Sequence, residues 1–290
     1  MKICYLILCH TNEDQVASLI DQLSDDSVDI FVHVDKKAQG FKLPQRDNVY
    51  AVEDSERVDI SWGDMGMVRA TMKLIDLAIE HGRYDYVALI SGQCFPIKTN
   101  KEIFDFLNGN KGKNFIDVNL FDDPAYSRMR KRIDLYYPSF LRKRGLLPKV
   151  LKRIYVTLTG GRGRTFKLFR RRLPCGMEFA YGSSWWTLTY DALKWIRDYV
   201  RQNEECLDFF ENSLNPDESF FQMLFMLSPY SEEREGILTY LEWEHGGNHP
   251  RVLRECDVKA LLSRPEMFAR KFDIRVDASA IEVLAQNLKD

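Results

Sequence analysis

The sequence predicts an α/β fold built on a parallel sheet, and three observations carry that reading. Over residues 1–120, apolar strand patterns alternate with amphipathic helix patterns. The first strand, residues 3–9, is apolar on both faces, as a strand covered by helices on both sides must be. Polar side chains capable of chemistry stand at the strand ends, where open parallel sheets bind ligands.

Residues 3–9 read as a buried strand that His10-Thr11-Asn12 ends. A helix follows, with Val16, Leu19, Ile20 and Leu23 on its apolar face. Residues 29–35 form a second strand ending in the Asp35 carboxylate, and this β-α-β order predicts a right-handed crossover. A short strand over 48–52 leads to Ser61-Trp62-Gly63-Asp64 and then to a helix over 65–81. The strand 85–90 closes on Ser91-Gly92-Gln93-Cys94, Thr99 or Asn100 caps a helix over 101–107, and residues 114–119 read as a further strand. Residues 1–120 thus form a nucleotide-binding type of half, but without Gly-x-Gly-x-x-Gly or a P-loop, which leaves dinucleotide and ATP chemistry unsupported.

Residues 135–177 form a basic helical insertion. No acid occurs between Asp134 and Glu178, while 12 lysines and arginines fall within residues 142–172. A solvated insertion is the plain reading, and a patch for an anionic membrane surface the sharper one. Nucleic acid is not expected, because no nucleic-acid motif accompanies the charge.

In the last part, 178–290, residues 181–189 read as a strand and 190–199 as a helix. Asn215-Pro216-Asp217-Glu218 then opens a buried helix, its acids placed where the helix dipole favours negative charge. A strand over 237–244, a polar turn over 245–251 and a helix over 278–288 complete a single domain of residues 1–290.

Composition is that of an ordinary soluble protein, 45% apolar and 29% charged. No stretch approaches a membrane span or a good signal peptide. The 6 cysteines include no Cys-x-x-Cys, which favours reduced thiols and a cytoplasmic location, with peripheral contact to the inner face of a membrane.

Several stretches together resemble bacterial members of the core-2/I-branching β-1,6-N-acetylglucosaminyltransferase family, which also contains peptide O-xylosyltransferases. They are the first strand with its His10-Thr11 end, Phe31-Val32-His33-Val34-Asp35, Ser61-Trp62-Gly63, the run from Leu89 to Asn100, Gly182-Ser183-Ser184-Trp185-Trp186, Pro216-Asp217-Glu218, His249-Pro250-Arg251 and Phe268-Ala269-Arg270-Lys271-Phe272-Asp273. The resemblance implies a GT-A type fold with a mixed, mostly parallel sheet flanked by helices. It also implies inverting transfer of a sugar, first of all N-acetylglucosamine, from a UDP-sugar to a glycan hydroxyl in surface polysaccharide or glycan synthesis. It implies no cofactor and no metal. The sequence has no Asp-x-Asp, and Glu242-x-Glu244 and Asp54-x-Glu56, among the nearest spacings, read as structural.

Inversion by direct displacement needs a base for the acceptor hydroxyl and positive charge for the departing UDP. By resemblance the base is Glu218, kept ionised by a helix start, with Asp217 a cap or support. Lys271 matches the diphosphate-binding position, with Arg251 as its forked partner. His10, Thr11 and Asp35, backed by Asp59 and Trp62, are the nucleoside candidates, core packing being the alternative for Trp62. Arg128, Tyr240, Trp243 and Glu244 are the acceptor candidates. One departure stands out: many relatives carry an acid where this chain has Cys94, which opens the alternative of a non-catalytic UDP-sugar-binding protein. A UDP-xylose-dependent xylosyltransferase is the other alternative.

Overall fold

The computed structural model describes residues 1–142, 145–161, 165–174, 176–244 and 250–289. In chain order they form β1 (Ile3–Cys9), α1 (Glu13–Leu23), β2 (Val28–Val34), β3 (Val49–Ala51), α2 (Gly66–His81), β4 (Tyr86–Ser91), β5 (Cys94–Pro96) and α3 (Asn100–Gly109). Next come β6 (Asn114–Phe115), α4 (Tyr126–Asp134), α5 (Ser139–Arg142), α6 (Leu146–Leu158), β7 (Trp186–Thr189), α7 (Tyr190–Gln202) and α8 (Glu205–Glu211). The chain ends with α9 (Phe220–Leu227), β8 (Arg234–Glu235), β9 (Thr239–Leu241), α10 (Val258–Leu262), β10 (Phe268–Arg270) and α11 (Ser279–Asn287).

Seven strands form one sheet in the order β3-β2-β1-β4-β7-β6-β8. Only β7 runs against its neighbours, so the sheet is mixed but mostly parallel, with strands from both the first 120 residues and the last part. Every residue of β1 is buried. Its side chains alternate between two cores, Cys4, Leu6 and Leu8 in one and Ile3, Tyr5, Ile7 and Cys9 in the other. Helices α2, α7 and α9 cover the first core, and α1, α3 and α11 the second. A smaller sheet, β5-β10-β9, lies at the carboxyl end of β4.

Local chemistry explains the early elements. Thr99 is the cap of α3, its hydroxyl accepting from Glu102 N–H at 3.2 Å while Thr99 N–H donates to Glu102 Oε2 at 2.8 Å. Three expected strands are shorter than their patterns: 114–119 reduces to β6, 181–189 to β7 and 237–244 to β9. Residues 182–184 lie outside the ladder, with Gly182 N–H donating to the Glu218 carbonyl, Ser184 Oγ to Asp217 and Ser183 N–H to Asp117. The Glu218 segment also differs from expectation. Pro216–Glu218 is a 3-10 turn, and α9 begins only at Phe220. Ser219, at φ −143° and ψ −32°, is neither helical nor extended and separates the two. Among the described residues no helix is long and apolar enough to cross a membrane, and the described cysteines form no disulfide.

Candidate active site

From β1 the chain winds out to β2 and β3, then returns to β4 on the other side of β1. Such a reversal leaves a crevice beyond the strand ends. His10 and Thr11 leave β1 at this crevice, and Gly92 and Gln93 follow β4. Gly92 is needed for close approach, since a Cβ there would lie 2.8 Å from both Cys9 Cβ and Val16 Cγ2. Asp35 follows β2, and Lys37 ties it to Asp59: Lys37 Nζ lies 3.3 Å from Asp35 Oδ1 and pairs with Asp59. Trp62 is 52% exposed, so core packing does not account for it.

The Glu218 turn is held from two sides. Asn215, in the left-handed region at φ 51°, donates its N–H to the Gly63 carbonyl at 3.1 Å. Gly63 sits at φ 79°, and a Cβ there would meet Asn215 Oδ1 at 2.8 Å, so both conformation and space require glycine. From the other side, Gly182 N–H donates to the Glu218 carbonyl at 2.9 Å, and Ser184 Oγ donates to Asp217 Oδ2 at 2.8 Å. Gln222 Nε2 donates to the Ser183 carbonyl at 2.6 Å. The Glu218 carboxylate pairs with Arg132 of α4. Burial first, and the Glu218 charge second, push the Asp217 pKa up to about 6.

Opposite these acids, β10 ends in adjacent cations. Arg270 lies 4.6 Å from the Trp185 ring centroid and donates from Nη1 to Ser91 Oγ at 2.8 Å, while its buried Nε has no partner. Neither Arg270 nor Lys271 forms an ion pair within 4.0 Å among the described residues. Burial, and then Arg270, lower the Lys271 pKa, against Asp273. Asp273 itself is taken up by Arg275 at 2.7 Å and Asn12 at 2.9 Å. Partial burial, opposed by Asp35 and then reinforced by Lys271, Arg270 and Arg275, holds the His10 pKa below its ordinary value. Cys94 is fully buried opposite Arg270 in the β5–β10 register. An acid there would stand against Arg270, whereas the thiol leaves the guanidinium without a carboxylate.

Other candidates are placed elsewhere. Arg251 does not stand free beside Lys271. Its guanidinium forks onto Asp257 at 2.9 Å and 2.9 Å and reaches Glu242 at 2.7 Å. That pairing gives Glu242 a structural role, as Arg57 does for Asp54. Tyr240 donates to Glu242 Oε2 at 3.2 Å and carries the Arg264 guanidinium 3.9 Å from its ring centroid. Trp243, bridged to Pro250, and Glu244 are exposed beyond the end of β9. Arg128, an acceptor candidate, is exposed one helical turn before Arg132, which pairs with Glu218. His249 lies outside the described residues. Among those residues, no group of three or more His, Cys, Asp or Glu is placed to hold a metal ion.

A family model, Core-2/I-Branching enzyme, matches residues 3–264. The chain belongs to the core-2/I-branching enzyme family. It is 25% identical to xylosyltransferase 2 of Rattus norvegicus, over 98% of this chain and 33% of that protein. It is 27% identical to the N-acetyllactosaminide beta-1,6-N-acetylglucosaminyl-transferase of Homo sapiens, over 87% of this chain and 63% of that protein. The chain spans about a third of the length of the xylosyltransferases it matches. Among solved structures it is similar to the galactosyltransferase LgtC in complex with donor and acceptor sugar analogs, at 10% identity and a TM-score of 0.38, over 99% of this chain and 96% of that one.

The family-like stretches already contained most of what residue-by-residue reading missed. Arg270, Trp185 and Ser184 lie inside them, next to residues singled out there. Arg132 lies in none, and no local signal links it to Glu218.

Proposed function

We propose that this chain is an inverting, metal-independent glycosyltransferase, transferring N-acetylglucosamine from a UDP-sugar to a hydroxyl of a glycan acceptor. One observation carries the reading: the Asp217–Glu218 turn and Arg270, with Lys271 beside it, meet at residues 184–185, where Ser184 Oγ donates to Asp217 at 2.8 Å and the Trp185 ring centroid lies 4.6 Å from the Arg270 guanidinium, next to Ser91 at the end of β4. Glu218 takes the proton as the acceptor oxygen bonds to the anomeric carbon. The bond from that carbon to the diphosphate breaks, and UDP leaves with its negative charge met by Lys271 and Arg270. Arg251 could join them only by leaving Asp257 and Glu242. His10, Thr11 and Asp35, with Asp59 and the exposed Trp62, form the nucleoside end, and Trp243 and Glu244 the outer acceptor end. Peripheral contact of residues 142–172 with an anionic membrane completes the reading.

The expected outcome is turnover of a UDP-sugar with EDTA present, and a loss of about a hundredfold or more in Glu218→Gln. Full activity in that variant would remove Glu218 as the base. The names of the relatives include both xylosyl and N-acetylglucosaminyl transfer, so a panel of UDP-sugars decides the donor. UDP binding without transfer to any acceptor would favour a binding protein.

A further inference from the structure

Helix α6 has no buried residue, although it is rich in leucine. Leu146, Leu147, Val150, Leu151, Ile154 and Leu158 are each at least 39% exposed, and their spacing sets them on one face. The opposite face seats the helix, with Tyr155 and Val156 packing on Leu135, Tyr137 and Leu214. Phe166 N–H donates to the Thr159 carbonyl at 3.0 Å, which brings the exposed Phe166, Leu168 and Phe169 next to the end of α6.

The charges that the insertion itself carries are all of one sign. Lys149 and Arg153 are exposed on α6, as are Lys167 and Arg172 beyond it, and residues 135–177 contain no acid. Three of the arginines turn inward: Arg142 donates to the Glu211 carbonyl at 2.6 Å, Arg171 to the Asn212 carbonyl at 3.3 Å, and Arg170 pairs with Asp134 at 3.1 Å. They anchor the segment to the body of the protein, while Lys149, Arg153, Lys167 and Arg172 form no ion pair within 4.0 Å among the described residues.

We propose that α6 docks the protein on an anionic lipid bilayer, its leucine face sunk at the headgroup boundary and Lys149 and Arg153 meeting lipid phosphates. An apolar stripe edged by cations matches that surface in both respects. Nucleic acid would match the charge but leave the apolar face uncovered, and a second copy would bring like charge against like. Leu214, packed beneath α6, adjoins the Asn215 turn that leads to Glu218. For the proposed transferase, and resting on that reading, docking would bring the site to an acceptor carried on lipid. Docking itself does not require transferase activity.

The test is sedimentation of the full chain with phosphatidylcholine vesicles containing phosphatidylserine, beside phosphatidylcholine alone, without sugar nucleotide. The expected result is binding to the anionic vesicles only, reduced about tenfold or more in Leu147→Asp/Ile154→Asp and in Lys149→Glu/Arg153→Glu. Both double variants should keep the parent's circular dichroism spectrum and UDP binding. No preference for anionic vesicles, or full binding by Leu147→Asp/Ile154→Asp, would overturn the proposal. So would a dimer lost in that variant without any vesicle binding, which assigns the face to a second copy. With no sugar nucleotide in the assay, its failure and that of the transferase reading remain distinct.

Discussion

Arg132 of α4 and Glu218, 86 residues later, form an ion pair with side chains 28% and 31% exposed. A pair this wet contributes about 0–1 kcal/mol to stability, so its main consequence is the direction in which the carboxylate points. Under the proposed mechanism Arg132 is therefore a positioning residue. In Arg132→Gln the expected result is a fall in kcat of about tenfold or more with little change in donor KM, because a misdirected base loses near-attack geometry. Arg132→Lys should rescue only part of this, lacking the planar fork. Steady-state kinetics with a thermal melt separates the effects, and a rise in kcat would show that Arg132 restrains the base instead.

Asp217 sets a pH dependence of folding. Its pKa rises from 3.8 to about 6, from burial and then from the Glu218 charge. Below about pH 4 the carboxyl is protonated in both states. Between about 4 and 6 only the unfolded chain releases the proton, so this group's contribution to stability falls as pH rises, then levels off. Asp217→Asn can still accept from Ser184 and should be more stable than the parent above pH 6, on the order of 2 kcal/mol. Loss of a negative charge near Arg270 offsets part of that gain. Urea unfolding of both proteins at pH 4.5 and 7.5 (~, spanning the titration) checks it, and an equal difference at the two values would contradict the assignment.

Lys271 and Arg270 should act on UDP itself. Neither has an ion-pair partner among the described residues, so a diphosphate need not displace a carboxylate to reach them. Each of Lys271→Met and Arg270→Met is expected to weaken UDP binding by about tenfold to a hundredfold, the scale of a hydrogen bond to a charged group. Arg251→Met should weaken it less, since Asp257 and Glu242 already hold that guanidinium. Titration calorimetry with UDP orders the three, and an Arg251 effect equal to that of Lys271 would show that the Asp257 fork opens on binding.

What was legible in the sequence was what local pattern controls. β1 is apolar on both faces, β2 is rich in β-branched residues, and α3 carries its own capping box, so each could be read from its own residues. Residues 181–185 misled because Trp185 and Trp186 suit a strand, while Ser183 and Ser184 bind Asp117 and Asp217 across the fold. The fork of Arg251 onto Asp257 and Glu242 depends on a turn that no spacing rule reveals. In the basic insertion the charge was plain, but the inward turn of Arg142 and Arg171 follows from carbonyls at the end of α8 and just beyond it. Residues that act on one another through the tertiary fold, Arg132 and Glu218 above all, leave no mark on either local sequence.

Gly182 gives the sharpest test of how the site is held. A Cβ there would lie 1.9 Å from the Asp117 carbonyl oxygen, and backbone on both sides leaves no flexible side chain to yield. Its N–H meanwhile donates to the Glu218 carbonyl at 2.9 Å. Gly182→Ala must therefore separate the 117 segment from the Glu218 turn, at a cost of about 3 kcal/mol or more. Gly236→Ala is the control, since nothing lies within 4 Å of its Cβ position, and it should stay within about 0.5 kcal/mol of the parent. Urea unfolding measures both. If Gly182→Ala folds, its activity should fall further than its stability alone explains, because the displaced backbone carries Glu218 with it. A Gly182→Ala protein with the parent's stability and turnover would mean that the packing of Gly182 against Asp117 does not hold the Glu218 turn.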